Sequence, residues 1–188
     1  MYETSDIRKG LKIQMEGVPF TVIEFQFVKP GKGTAFTRTK LRNMITGAVL
    51  DRTYKTGERL EPADIEERKM QFLYKEGENF VFMDTGNYEQ VSIGGELMVE
   101  NQYYMMDGTM VSVLFFGDKA IGVTPPTFVE LKVTTTEPGF KGDTSSNTTK
   151  PATLETGLQV QVPLFVLEGE TLKIDTRTGE YVERVKKA

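Results

Sequence analysis

Lys32 stands between two glycines, in Phe27-Val28-Lys29-Pro30-Gly31-Lys32-Gly33-Thr34-Ala35-Phe36. Strand-like runs flank Lys29–Thr34, so the segment reads as a hairpin with a loop of several residues. Pro30-Gly31 favours a tight bend, and the glycines leave Lys32 without bulky neighbours. A lone lysine at an exposed tip is a long probe with a cationic end. On the returning strand, Arg38, Lys40 and Arg42 fall at alternate positions and share one face; Thr37, Thr39 and Leu41 take the other. Between Lys29 and Arg42 there are five cations and no carboxylate. Aligned cations of this kind suit a phosphate backbone, which they position without reading its sequence. A solvated basic strand with a flexible tip would carry the same pattern.

Other chemistries fare worse. Gly31-Lys32-Gly33-Thr34 is not a phosphate-binding loop: that motif needs Gly-x-x-x-x-Gly-Lys-Ser/Thr and a following helix. The dinucleotide fingerprint fails as well, because Phe36 stands where its last glycine belongs. The chain has no cysteine and no histidine. Disulfides, thiol nucleophiles and His-based triads are therefore excluded, and the prior for catalysis falls. No metal site is expected. Glu61, Asp64, Glu66 and Glu67 read as an acidic linker surface. Tyr103-Tyr104 and Phe115-Phe116 read as half core, half surface. Met44, Met70, Met83, Met98, Met105, Met106 and Met110 read as core filler.

The elements that must carry the tip are strands. Period-two runs recur at 22–28, 71–74, 80–83, 110–116 and 128–133, punctuated by Gly and Asp/Asn turns. This spacing predicts an all-β protein of barrels or sandwiches. The best helix candidate is short, Glu96–Tyr104. Glu61-Pro62-Ala63-Asp64 and Thr124-Pro125-Pro126-Thr127 read as joints, since proline stiffens the chain around it. They divide the chain into 1–64, 65–127 and 128–188. Each piece is near the lower size limit for a domain, which small closed SH3-like or OB barrels satisfy. Residues 141–150 are polar and read as an exposed loop.

Net charge is −4. It is uneven: the three pieces carry net +3, −6 and −1, which concentrates any polyanion contact near the N-terminus. No apolar run is long enough to span a membrane, and the polar start lacks signal-peptide character, so the expected location is cytoplasmic.

Several motifs, in order, resemble elongation factor P. They are Lys29-Pro30-Gly31-Lys32-Gly33 with Ala35-Phe36, Thr124-Pro125-Pro126, Gly142-Asp143-Thr144, the signature-like run Lys150–Gly169, and Asp175-Thr176-Arg177-Thr178-Gly179-Glu180-Tyr181. The resemblance runs essentially from end to end. It implies an N-terminal SH3-like (KOW-type) barrel and two OB barrels in an L-shaped, tRNA-like outline. It implies a non-enzymatic monomer, without cofactor, that binds the bacterial ribosome between the P and E sites and relieves stalling at consecutive prolines. Lys32 matches the family's functional lysine, which many members extend by β-lysylation or with an aminopentanol group; a lysine-modifying enzyme is thus an implied partner. Some β-lysylated relatives have glutamine after the second glycine, where this chain has Thr34. The family's docking on P-site peptidyl-tRNA maps to the face of Arg38, Lys40 and Arg42, and Gly142-Asp143-Thr144 to a loop near the E-site mRNA. A paralogue with other stalling preferences, or a general OB/SH3 RNA-binding protein, would share much of this pattern.

Overall fold

A computed structural model describes residues 1–139 and 148–186. Gly142, Asp143 and Thr144 lie outside the described residues. The described chain is all-β, in three antiparallel sheets. The first contains β1 (Tyr2–Glu3), β2 (Lys12–Met15), β3 (Val18–Val28), β4 (Phe36–Asn43), β5 (Val49–Lys55) and β6 (Arg59–Pro62), in the order β1-β6-β2-β3-β4-β5. The second contains β7 (Ile65–Glu76), β8 (Asn79–Asp84), β9 (Gln90–Gly94), β10 (Met110–Phe116) and β11 (Lys119–Thr124), in the order β11-β10-β7-β8-β9. The third contains β12 (Phe128–Thr136), β13 (Thr149–Leu154), β14 (Gln159–Pro163), β15 (Thr171–Asp175) and β16 (Glu180–Arg184), in the order β14-β13-β12-β15-β16.

Two compact units can be distinguished, Met1–Arg68 with Val113–Gly122, and Lys69–Ser112 with Val123–Ala188. In the first, Ile7, Ile13, Phe20, Val22, Leu41, Tyr54 and Leu60 form one buried cluster. In the second, Phe72 packs against Phe82 with ring centroids 5.5 Å apart, beside buried Met70 and Ile93. Val129, Leu131 and Val133 of β12 are buried on one face, as their alternation dictates, together with Leu172 and Ile174 of β15. Lys150 is also buried there; its ammonium donates to the carbonyl of Glu137, which satisfies a group that would otherwise be stranded.

Two expectations need correction. The helix over 96–104 is instead a pair of 3-10 turns, Gly95–Leu97 and Asn101–Tyr104. So short a segment gains too few hydrogen bonds to nucleate an α-helix, and it is held by the burial of Met98 and Tyr104. The methionines are not uniformly core. Met70, Met98 and Met105 are buried, whereas Met110 is exposed, because Val111, Val113 and Phe115 take the inward positions of β10. Tyr103 and Tyr104 do divide between surface and core, as do Phe115 and Phe116. Among the described residues no helix is long and apolar enough to cross a membrane.

Candidate nucleic-acid interface

The site is an arm of three strands. β3 and β4 pair from Phe20 opposite Asn43 to Val28 opposite Phe36, and β5 pairs along β4 from Arg42 opposite Val49 to Phe36 opposite Lys55. The amide of Thr56 donates to the carbonyl of Ala35 at 3.0 Å, so the third strand reaches the base of the loop. Residues 29–35 form the tip. Gly33 has φ +97°, the left-handed region that only glycine enters at little cost, and this lets the chain turn back after Lys32. Lys29, Gly31, Lys32 and Gly33 are exposed and Pro30 is half-buried. Among the described residues, no side-chain hydrogen bond or ion pair engages Lys29 or Lys32.

β4 alternates as its sequence dictates. Arg38, Lys40 and Arg42 are exposed on one face; Thr37, Thr39 and Leu41 are buried on the other. The stripe is less uniform than its linear spacing, however. Lys40 lies opposite Glu24 on β3 and Asp51 on β5, and its ammonium is 3.9 Å from the Glu24 carboxylate. Arg38 lies opposite Gln26 and Thr53, and Arg42 opposite Thr21 and Val49, so these two face no carboxylate across the sheet. The Arg38 guanidinium is 5.4 Å from the centre of the Phe36 ring. Thr34, Phe36, Arg38, Thr53 and Lys55 line a shallow hollow of about 470 Å³ beside the tip. The structure therefore adds Lys55 to the cations named from the hairpin. Its alternation with Asp51 and Thr53 would have revealed it, but only once β5 was known to pair with β4.

The acidic cluster is dispersed among local partners. Glu61 accepts from the Gln14 side chain at 3.0 Å and Glu66 pairs with Arg68 at 3.1 Å. Among the described residues no three carboxylates come together as a metal site would require.

Family models match nearly the whole chain. The elongation factor P KOW-like domain covers residues 3–60, its OB domain 65–123, and its C-terminal domain 129–184. The chain is 53% identical over 186 residues to elongation factor P 2 of Geobacter sulfurreducens, covering 99% of this chain and 100% of that one. Elongation factor P of Campylobacter lari is also 53% identical, over 99% of this chain and 98% of its own. The chain belongs to the elongation factor P family.

As a member of this family, it is a non-enzymatic translation factor, with a KOW-like domain followed by OB domains. That agrees with the all-β architecture the resemblance implied. The fold extends further: initiation factor 5A of Methanococcus jannaschii superposes with a TM-score of 0.52 at 22% identity, covering 66% of this chain and 91% of that one.

Proposed function

We propose that the protein binds the bacterial ribosome between the P and E sites and places Lys32 beside the end of the P-site peptidyl-tRNA, stimulating peptide bond formation at consecutive prolines. The observation that carries this reading is the exposed Lys32, without a partner among the described residues, at the end of a three-strand arm whose outer face presents Arg38 and Arg42. Proline restricts its own backbone and so hinders attack geometry. A factor that orders the tRNA end lowers the entropic part of the barrier, while the ribosome supplies the chemistry. Arg38 and Arg42, with Lys55, supply phosphate contacts; Lys40 contributes less, because Glu24 and Asp51 stand opposite it on the two neighbouring strands. A covalent extension of Lys32 would lengthen the probe while keeping positive charge. The domain limits 1–64, 65–127 and 128–188, a cytoplasmic location and an mRNA contact by the Gly142-Asp143-Thr144 loop belong to the same proposal.

Lys32→Ala tests it. Rescue of a Pro-Pro-Pro reporter should be lost while the melting temperature stays within the small range of an exposed substitution. Full rescue by the variant would remove the tip from the mechanism.

A further inference from the structure

The arm has a second face that the reading above leaves unused. β3 and β4 slip register between Val22 and Glu24: Val22 pairs with Leu41 and Glu24 with Lys40, so Ile23 is an extra residue. Such a bulge reverses the parity of the strand beyond it. Before it, Phe20 and Val22 point to the core; after it, Phe25 and Phe27 lie on that same side, opposite Thr39 and Thr37. There the strand outruns the core, and the rings are 42% and 60% exposed. Large aromatic rings left this open on a sheet are worth explaining, because they stabilise little where they stand.

Their surroundings are cationic. The Arg8 guanidinium is 5.9 Å from the centre of the Phe25 ring. Arg52, opposite Thr39, lies 5.0 Å from the ring of Tyr54. Neither arginine is in an ion pair among the described residues. Burial raises the pKa of Tyr54 on this face, and of the charges that act on it Arg52 outweighs Glu58. Aromatic residues at alternate positions of a strand stand about 7 Å apart along it. That spacing matches successive unstacked nucleotides, and RNA-recognition sheets stack two or three bases on aromatic residues in this way. Arg8 donates to the carbonyls of Ile7 at 2.6 Å and Ser5 at 3.2 Å, which fixes its guanidinium without neutralising it. An aliphatic protein partner would gain from the rings but would bury two guanidinium charges without a counter-charge; a polyanion with flat bases uses both.

We infer that Phe25 and Phe27 form a stacking platform for two successive unpaired bases of single-stranded RNA, with Arg8 and Arg52 held for the flanking phosphates. This rests on the arm being an RNA-contacting device, and it adds a contact of a different kind on the opposite face. The stripe of Arg38 and Arg42 follows phosphates on any strand; the Phe25–Phe27 face needs free bases.

The full chain, labelled at phenylalanine, is titrated with hexacytidylate and with a blunt RNA duplex while ring resonances are followed by NMR. Phe25 and Phe27 should move upfield with the single strand and stay still with the duplex. Phe25→Ala with Phe27→Ala should weaken single-strand binding about 10-fold or more and leave duplex binding unchanged. Phe25→Leu with Phe27→Leu, which keeps apolar bulk and guards against loss of fold, should show the same loss. Arg38→Glu with Arg42→Glu should weaken binding of both RNAs while leaving the ring shifts at saturating single strand unchanged, so failure of the outer-face reading is told apart from failure of this one. No ring shift up to millimolar oligonucleotide, equal shifts with duplex, or shifts only with an acidic peptide would overturn the platform; the last would make the face a protein surface.

Discussion

Arg38 and Lys40 are two residues apart on one face of one strand, yet the structure separates them sharply. Arg38 faces Gln26 and Thr53 across the sheet, whereas Lys40 lies between Glu24, at 3.9 Å, and Asp51. A cation that neutralises a phosphate releases a counterion, and each such contact adds about 0.7–0.9 to the slope of log affinity against log salt. Between about 50 and 200 mM salt, one contact then accounts for roughly a 3-fold loss of affinity. Arg38→Ala should reduce the slope by nearly one contact, so that its penalty relative to the parent shrinks about 3-fold across that range. Lys40→Ala should leave the slope almost unchanged, because a lysine flanked by Glu24 and Asp51 releases little counterion on meeting a phosphate, and the exposed Glu24 pair it gives up is worth only about 0–1 kcal/mol. Glu24→Gln should steepen the slope. Ribosome binding measured at four or five salt concentrations reads all three. Equal slopes for Arg38→Ala and Lys40→Ala would refute the idea that sheet neighbours set which cations reach the phosphates.

Two further outcomes follow from the arm. Gly33→Ala places a side chain at φ +97°, which costs about 1 kcal/mol; the loop should relax away from its turn, so reporter rescue should fall while thermal melting changes little. Burial raises the pKa of Tyr54 above its ordinary value near 10, with Arg52 opposing and Glu58 adding to the shift. The folded form therefore resists losing this proton: stability is full below about pH 10 and declines as pH rises through the raised folded value. Tyr54→Phe should flatten that alkaline decline in a pH series of melting curves, and an unchanged decline would assign it elsewhere.

Much of the arm was legible from residue order alone. The alternation of Thr37, Arg38, Thr39, Lys40, Leu41 and Arg42 determined which side chains face water, because period two is a property of the strand itself. The strand at 128–133 was legible for the same reason. The one-residue slip at Ile23 was not. Strict alternation would have set Phe25 and Phe27 against the side occupied by Val22, and nothing in Val22-Ile23-Glu24 marks where pairing skips. Nor could the neighbours of Lys40 be read from the hairpin, since Asp51 arrives on a separate strand and Glu24 depends on the slip. The stretch Glu96–Tyr104 forms 3-10 turns and not a helix, because local spacing does not reveal how few backbone bonds so short a segment will close.

β5 pairs with the arm only as far as the base of the tip loop, yet it decides how well the tip is aimed. A two-stranded ribbon is marginal by itself in water, and its far end would wander. Pairing β5 as far as Lys55 opposite Phe36, with the Thr56 amide on Ala35, turns the ribbon into a braced cantilever. Lesions in β5 that spare Arg52 and Lys55 would therefore masquerade as defects of the lysine, losing aim while Lys32, Arg38 and Arg42 stay intact.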